Sequence, residues 1–346
     1  MQRQEQLTEW LHSLFPNEKF AIAPASADAS FRRYFRATFD NRTLIVMDAP
    51  PQHEDCRPFL HVAKLFEDAG THVPHVYAQD LSQGFLLLSD LGNTTYLQVL
   101  NHDTARGLYG AATDALIKIQ LASRENELPP YDEAMLLREM RLFPEWYIGK
   151  HLNVTLSNAQ NAKLETVFSR IIANNLAQPH VYVHRDYHSR NLMVIDPPAN
   201  GPLRVERIVA VQPNPGIIDF QDAVYGPITY DLASLFKDAY IRWEEAEIID
   251  WLIRYWEKAR KAGLPVHEDF SVFYRDYEWM AVQRHLKVLG IFARLYHRDD
   301  KQGYLKDLPL VMAYLRAACS RYIDLKPLLN LLDTLEPQGS KEGYTF

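Results

Sequence analysis

Apolar residues recur at Leu7, Trp10, Leu11, Leu14 and Phe15, a spacing that predicts an amphipathic helix near the start of the chain. Strand-length apolar stretches follow over 31–38 and 43–48, separated by the turn-forming pair Asp40-Asn41 and ended by Pro50-Pro51. Pro58 suits the first turn of a second helix, with Phe59, Ala63, Phe66 and Ala69 as its stripe and Gly70 as its cap. Two more short strands are expected over 73–78 and 84–89. Beyond Asp90-Leu91-Gly92-Asn93 the period becomes helical. Leu108, Ala112, Ala115, Leu116 and Ile119 line one helix. Leu164, Val167, Phe168, Ile171 and Ile172 line another, opened by a Ser157-x-x-Gln160 capping box. A strand-rich island over 181–220 precedes helices around 230–240, 244–261, 269–296 and 308–333. The expected class is therefore α+β in two lobes. A small antiparallel-sheet lobe spans 1–92, with a hinge at 89–92, and a larger helical lobe spans 93–346.

Composition narrows the function classes. The 346 residues are 47% apolar and 23% charged, ordinary values for a folded domain and no case for disorder. A net charge of −7 argues against a general nucleic-acid or anionic-membrane binder, while leaving room for a local basic pocket. Cys56 and Cys319 are too few and too far apart for a disulfide framework or a zinc knuckle. Met1 to Pro16 carries Arg3, Glu5 and Glu9 and lacks the apolar core of a signal sequence. The longest apolar runs are too short to cross a bilayer. A cytoplasmic protein is expected, with no membrane, nucleic-acid or obligate protein partner.

The chemistry concentrates at His184-Arg185-Asp186-Tyr187-His188-Ser189-Arg190-Asn191, an H-R-D-x-x-x-x-N string, and at Ile217-Ile218-Asp219-Phe220 downstream. Phosphoryl transfer from ATP to a hydroxyl needs a base and hard oxygen ligands for Mg²⁺. Asp186 is the candidate base, and Asn191 and Asp219 are the candidate metal ligands. Taken singly, Asp186 is an ordinary loop carboxylate, Asn191 a turn former and Asp219 a cap after a strand. The three together, bracketed by apolar strands, point to a kinase using ATP and Mg²⁺. ATP would lie in the cleft between the two lobes, a usual place for ligand sites. Two other readings compete. His184, Asp186 and His188 form an H-x-D-x-H cluster that would suit a metal-dependent hydrolase, although no further histidine cluster completes it. A catalytically inactive kinase fold acting as a binding module is the other.

The segment from Val183 to Leu192, with Gly216-Ile217-Ile218-Asp219-Phe220-Gln221-Asp222-Ala223, Tyr230-Asp231-Leu232-Ala233 and Phe85-Leu86-Leu87-Leu88-Ser89-Asp90-Leu91-Gly92, resembles the aminoglycoside phosphotransferase and choline kinase superfamily. The resemblance implies a bilobal protein-kinase-like fold and small-molecule kinase activity. By matching position, Asp186 is the base, Asn191 and Asp219 hold Mg²⁺, and Ser89, Asp90 and Leu91 bind adenine through their backbone. Asp231 would brace the catalytic loop, and His184 would pack beneath it. The strings from Asp28 to Arg36, Val46 to Pro51, Phe143 to Tyr147 and Gln283 to Gly290 resemble a bacterial subgroup. That subgroup phosphorylates the anomeric hydroxyl of N-acetylmuramate and N-acetylglucosamine in peptidoglycan recycling.

Two features depart from the family pattern. The strand over 43–49 lacks the usual Lys, with Met47 and Asp48 in its place, and the expected phosphate loop over 26–30 lacks glycine. Arg32 or Arg33 is the expected replacement cation, and strand alternation sends only one of them toward ATP. The substrate expectations are an aromatic face from the Glu145-Trp146-Tyr147 segment and a cation from Arg284 or Lys287 for an acidic sugar. The alternative acceptor, an aminoglycoside or other amino-alcohol, would want an acidic pocket. A hairpin insertion is expected over 196–215.

Overall fold

A computed structural model describes residues 2–26, 31–195 and 215–336. The chain forms two compact units, 1–119 with 190–222, and 120–189 with 223–346. The expected boundary after residue 92 falls inside the first of these. The expected phosphate loop (beyond Ser26) and nearly all of the expected 196–215 hairpin lie outside the described residues.

In the first unit, five antiparallel strands run β1 (Ala21–Ser26), β2 (Arg33–Thr38), β3 (Thr43–Asp48), β4 (Val76–Asp80) and β5 (Phe85–Ser89), in the order β1-β2-β3-β5-β4. The period-2 alternation divides β2 cleanly. Phe35 and Ala37 join Leu44 and Val46 of β3 and Phe85 and Leu87 of β5 in a core closed by Leu7 and Leu11 of the Gln2–Leu14 helix. Tyr34 and Arg36 of β2, and Ile45 and Met47 of β3, therefore belong to the opposite face. The unanticipated strand is β1, whose Pro24 is tolerated because the strand lies at the sheet edge, beside a register shift. Gly84, at φ 74°, turns β4 into β5 where a Cβ would collide with the Ala49 carbonyl oxygen. The expected strand island proves to be several short pieces. Leu192–Met193 pairs with Gly216–Ile217 in this unit, and His180–Val183 pairs with Val224–Pro227 in the other.

The second unit is mainly helical. The Asn158–Leu176 helix opens with the expected Ser157/Gln160 capping box. The Tyr230–Phe236, Glu245–Ala262 and Phe270–Asp299 helices follow. The helix expected over 308–333 is two, Leu308–Arg321 and Lys326–Leu335, with Pro327 in the first turn of the second. Phe143–His151 is a π-helix packed along Phe270–Asp299. Gly290 makes that approach possible: a Cβ there would collide with the Leu142 backbone. No described helix is long and apolar enough to cross a membrane.

Candidate active site

The first unit contains a cavity of about 380 Å³ whose lining includes Ile45, Leu88, the hinge residues Ser89, Asp90 and Leu91, and both Asn191 and Asp219. Pairing of Leu192 with Ile217 brings the metal candidates together across 28 residues of sequence. The Asn191 amide donates to Asp219 Oδ2 at 3.2 Å, and the Gln221 amide donates to Asp219 Oδ1 at 3.0 Å. Asp219 holds φ 65°, a left-handed conformation that a non-glycine residue adopts at some cost and that is common at functional sites. An adjacent carboxylate and amide are hard oxygen donors, and Mg²⁺ bound through few protein ligands and the substrate phosphates fits that set. Gly216 lies beneath the hinge, where a Cβ would come 2.7 Å from Ile195 Cδ1 and 3.0 Å from Leu91 Cδ1.

The hinge side chains are already engaged. His75 N–H donates to Ser89 Oγ at 2.9 Å, and Ser89 N–H donates to the His75 carbonyl at 2.9 Å. The Asp90 carboxylate accepts from Arg36 Nε and Nη2 and from Gly92 N–H. Burial opposes ionisation of Asp90, but hydrogen bonds from Arg36, Thr43 and Gly92 outweigh it and hold the carboxyl below its usual range. What Asp90 can offer a nucleotide base is its backbone.

The two candidate phosphate cations separate by strand parity. Arg33 is on the core-facing side of β2, where it and Arg3 both pair with the fully buried Asp48. This corrects the expectation that Arg33 is available for phosphate: its charge is matched on the face away from the cavity. Arg32 precedes β2 with the parity of Tyr34 and Arg36, both of which line the cavity. Sequence reasoning missed Arg36 and Arg190, also in its lining. Arg190 was legible as the neighbour of Asn191, whereas Arg36 is recognisable only once the strand register is known.

In the second unit, the 184–189 segment that carries the candidate base is braced at both ends. Asp231 accepts from His184 N–H at 2.7 Å and Arg185 N–H at 3.1 Å. Asp238 accepts from Ser189 N–H at 3.0 Å and also from the Ser189 hydroxyl. Arg185 takes φ 75° and reaches Glu139 at 2.6 Å. Asp186 N–H donates to His184 Nδ1 at 3.2 Å, so this fully buried histidine serves the loop from below, as expected. Burial raises the Asp231 carboxyl to about 7 against its two N–H donors, with Asp186 adding to the rise. For Asp186 burial is outweighed by Lys287, His188, Arg284 and Arg185, which hold its carboxyl at about 2.

A second cavity, about 200 Å³, is lined by Asp186, His188, Tyr240, Arg284, Lys287 and Tyr304 among others. Arg284 and Lys287, one turn apart on Phe270–Asp299, are both largely buried there. Glu145, Trp146 and Tyr147 are not in this lining. Tyr147 is a core residue of the π-helix, stacked on Phe143 and donating its hydroxyl to Glu336 at 2.7 Å, which corrects its assignment as a sugar platform. Among the described residues, no three His, Cys, Asp or Glu side chains come together as a metal site, so the His184/Asp186/His188 hydrolase reading lacks its cluster.

The chain as a whole is similar to known proteins. The profile of the "Phosphotransferase enzyme family" matches residues 21–270. The chain is 47% identical over 344 residues to an N-acetylmuramate/N-acetylglucosamine kinase of Pseudomonas putida, covering 96% of this chain and 97% of that one. An enzyme of the same name from Neisseria meningitidis is 47% identical over 100% of both chains. Among solved structures, a choline kinase of Streptococcus pneumoniae aligns at TM-score 0.62 with 14% identity, over 92% of this chain and 100% of that one. The GDP complex of an aminoglycoside 2'-phosphotransferase aligns at 0.61 with 11% identity, over 92% and 99%. The structural likenesses establish a protein-kinase-like fold, and the sequence matches establish kinship: the chain belongs to the phosphotransferase enzyme family.

Proposed function

We propose that the protein transfers the γ-phosphoryl group of ATP to the anomeric hydroxyl of N-acetylmuramate and N-acetylglucosamine, in the cytoplasm, as a step in peptidoglycan recycling. The observation that carries this reading is the cavity where Asp186 stands beside Arg284 and Lys287. A carboxylate base in basic surroundings suits a neutral or acidic sugar and disfavours a polycationic aminoglycoside. The substrates named for the relatives agree with it.

Asp186 would receive the acceptor hydroxyl's proton as the oxygen attacks phosphorus and the bond to ADP breaks. Its carboxyl, held at about 2, is a weak base, and that suits an anomeric hydroxyl, the most acidic hydroxyl of the ring. Positioning of the acceptor then counts for more than base strength. Asn191 and Asp219 would hold Mg²⁺, which when bound neutralises phosphate charge. Ser89, Asp90 and Leu91 would meet the base through their backbone, and Arg32, with Arg36 and Arg190 nearby in sequence or lining, supplies positive charge in place of the absent β3 lysine.

The test is a panel of amino sugars and aminoglycosides with ATP, followed by NMR of the product. Phosphate on C1 of both N-acetyl sugars is expected. Phosphate on C6, or turnover with kanamycin-like amines alone, overturns the assignment.

A further inference from the structure

Of the two cations in the acceptor cavity, only Lys287 has hydrogen-bond partners among the described residues. Lys287 Nζ pairs with Glu139 at 3.1 Å and donates to the Tyr230 hydroxyl at 3.0 Å. Glu139 in turn is held ionised by Lys287 and Arg185 against its burial. Lys287 belongs to a buried network in which two of its three N–H donors already have partners.

Arg284 stands differently. It is 4% exposed and makes no hydrogen bond or ion pair with any described residue, and its Nη1 is buried without an acceptor. A guanidinium does not relieve such burial by losing its proton, because it stays charged at any physiological pH. The Arg284 charge acts on the Asp186 and Asp231 carboxylates, but a buried N–H donor left without an acceptor is still costly. Polar groups around it have other attachments: Asp231 accepts two backbone N–H groups, and His285, the next residue, turns its ring to the Lys237 carbonyl. Apart from Asp186, His188 and Lys287, the rest of the lining is apolar or aromatic, including Val288, Ile291, Phe292 and Leu295. The cavity therefore presents a planar, five-donor cation beside the candidate base, with its buried Nη1 lacking an acceptor.

We infer that Arg284 is the receptor for a carboxylate on the acceptor sugar, and so the residue that favours N-acetylmuramate over N-acetylglucosamine. The inference rests on the amino-sugar kinase reading and deepens it. The two sugars differ by the lactyl ether, whose carboxylate matches the guanidinium fork in charge and in bidentate geometry. Lys287, the other candidate from sequence, is assigned instead to holding Glu139 and the electrostatics of Asp186. A transferring phosphoryl group is the other anion with the right chemistry, and it would serve both sugars alike.

The experiment compares kcat/KM for N-acetylmuramate, its methyl ester and N-acetylglucosamine in the wild type, Arg284→Gln and Arg284→Lys. The N-acetylmuramate to N-acetylglucosamine ratio should fall about 10- to 100-fold in Arg284→Gln, chiefly through KM, with a smaller fall in Arg284→Lys. In the wild type, esterification should erase the preference, and in Arg284→Gln it should change little further. Thermal melting shows whether each variant is folded. If Arg284→Gln does not fold, the ratio in Arg284→Lys and the wild-type ester comparison decide. An unchanged ratio, with both sugars losing equally, overturns the carboxylate assignment and points to the phosphoryl group. Wild-type turnover of neither sugar overturns the function itself and this inference with it.

Discussion

Asp186 combines two properties that pull on its chemistry in opposite directions. Its position in a braced loop suits a catalytic base, while the cations around it keep it ionised down to about pH 2. Replacing it with Asn keeps the shape and removes the proton acceptor. Asp186→Asn should lower kcat by about 10²- to 10⁴-fold with ATP affinity nearly intact; a variant keeping a third of wild-type kcat would refute the role. The depressed carboxyl also fixes a pH expectation. Asp186 is fully ionised above the usual carboxylate range and protonates only as pH falls through about 2, so it should leave no acid limb in kcat/KM between pH 4 and 6. Lys287 is the leading charge opposing its burial. Lys287→Met should therefore raise the Asp186 pKa and move the acid limb of kcat/KM to higher pH, which a profile carried down to the lowest pH the fold tolerates would detect. A pH–rate profile superimposable on the wild type would remove Lys287 from that role.

Among the elements, the π-helix Phe143–His151 is seated on Phe270–Asp299, the helix that carries Arg284 and Lys287. Arg284 and Lys287 lie less than two turns before Gly290, where a Cβ would collide with the Leu142 backbone. Gly290→Ala would force the two backbones apart, costing on the order of 1–3 kcal/mol and disturbing the cations upstream. Gly110, inside Ala105–Leu121, has nothing within 4 Å of the place a Cβ would occupy, so Gly110→Ala should stabilise by about 0.5–1 kcal/mol. Urea denaturation distinguishes the pair, and equal shifts would mean the contact at Leu142 relaxes freely. Elements of this kind also mark the limit of sequence reading. The Ser157/Gln160 capping box and the β2–β3 turn were legible because their signals are local. The π-helix was not, since nine residues give too few turns to tell its period from that of an α-helix. Strand β1 was missed because Pro24 reads as a break unless its edge position is known.

At the scale of the whole molecule, the legible part of the site was the part written in one loop. Asp186 and Asn191 lie five residues apart in one short string, and Asp219 follows an apolar run that announces it. The supporting charges come from far away in sequence: Arg36 meets Asp90 across 54 residues, Glu139 meets Arg185 across 46, and Asp238 meets Ser189 across 49. Pairings of that range depend on the fold and leave no spacing to read. They also sort by unit. Asn191, Asp219 and the hinge belong to 1–119 with 190–222, while Asp186, Arg284 and Lys287 belong to 120–189 with 223–346. The two substrates should therefore leave separate footprints in hydrogen exchange, because each orders the backbone it touches. A non-hydrolysable ATP analogue with Mg²⁺ should slow exchange over 88–92, 191–193 and 216–219. N-acetylmuramate should slow it over 186–189 and 284–304. Asp219→Ala should abolish the nucleotide footprint and spare the sugar's, because only the nucleotide depends on the metal ligand. A sugar footprint confined to 88–92, or one lost in Asp219→Ala, would show that the acceptor binds with the nucleotide residues and that the cavity around Asp186 has another use.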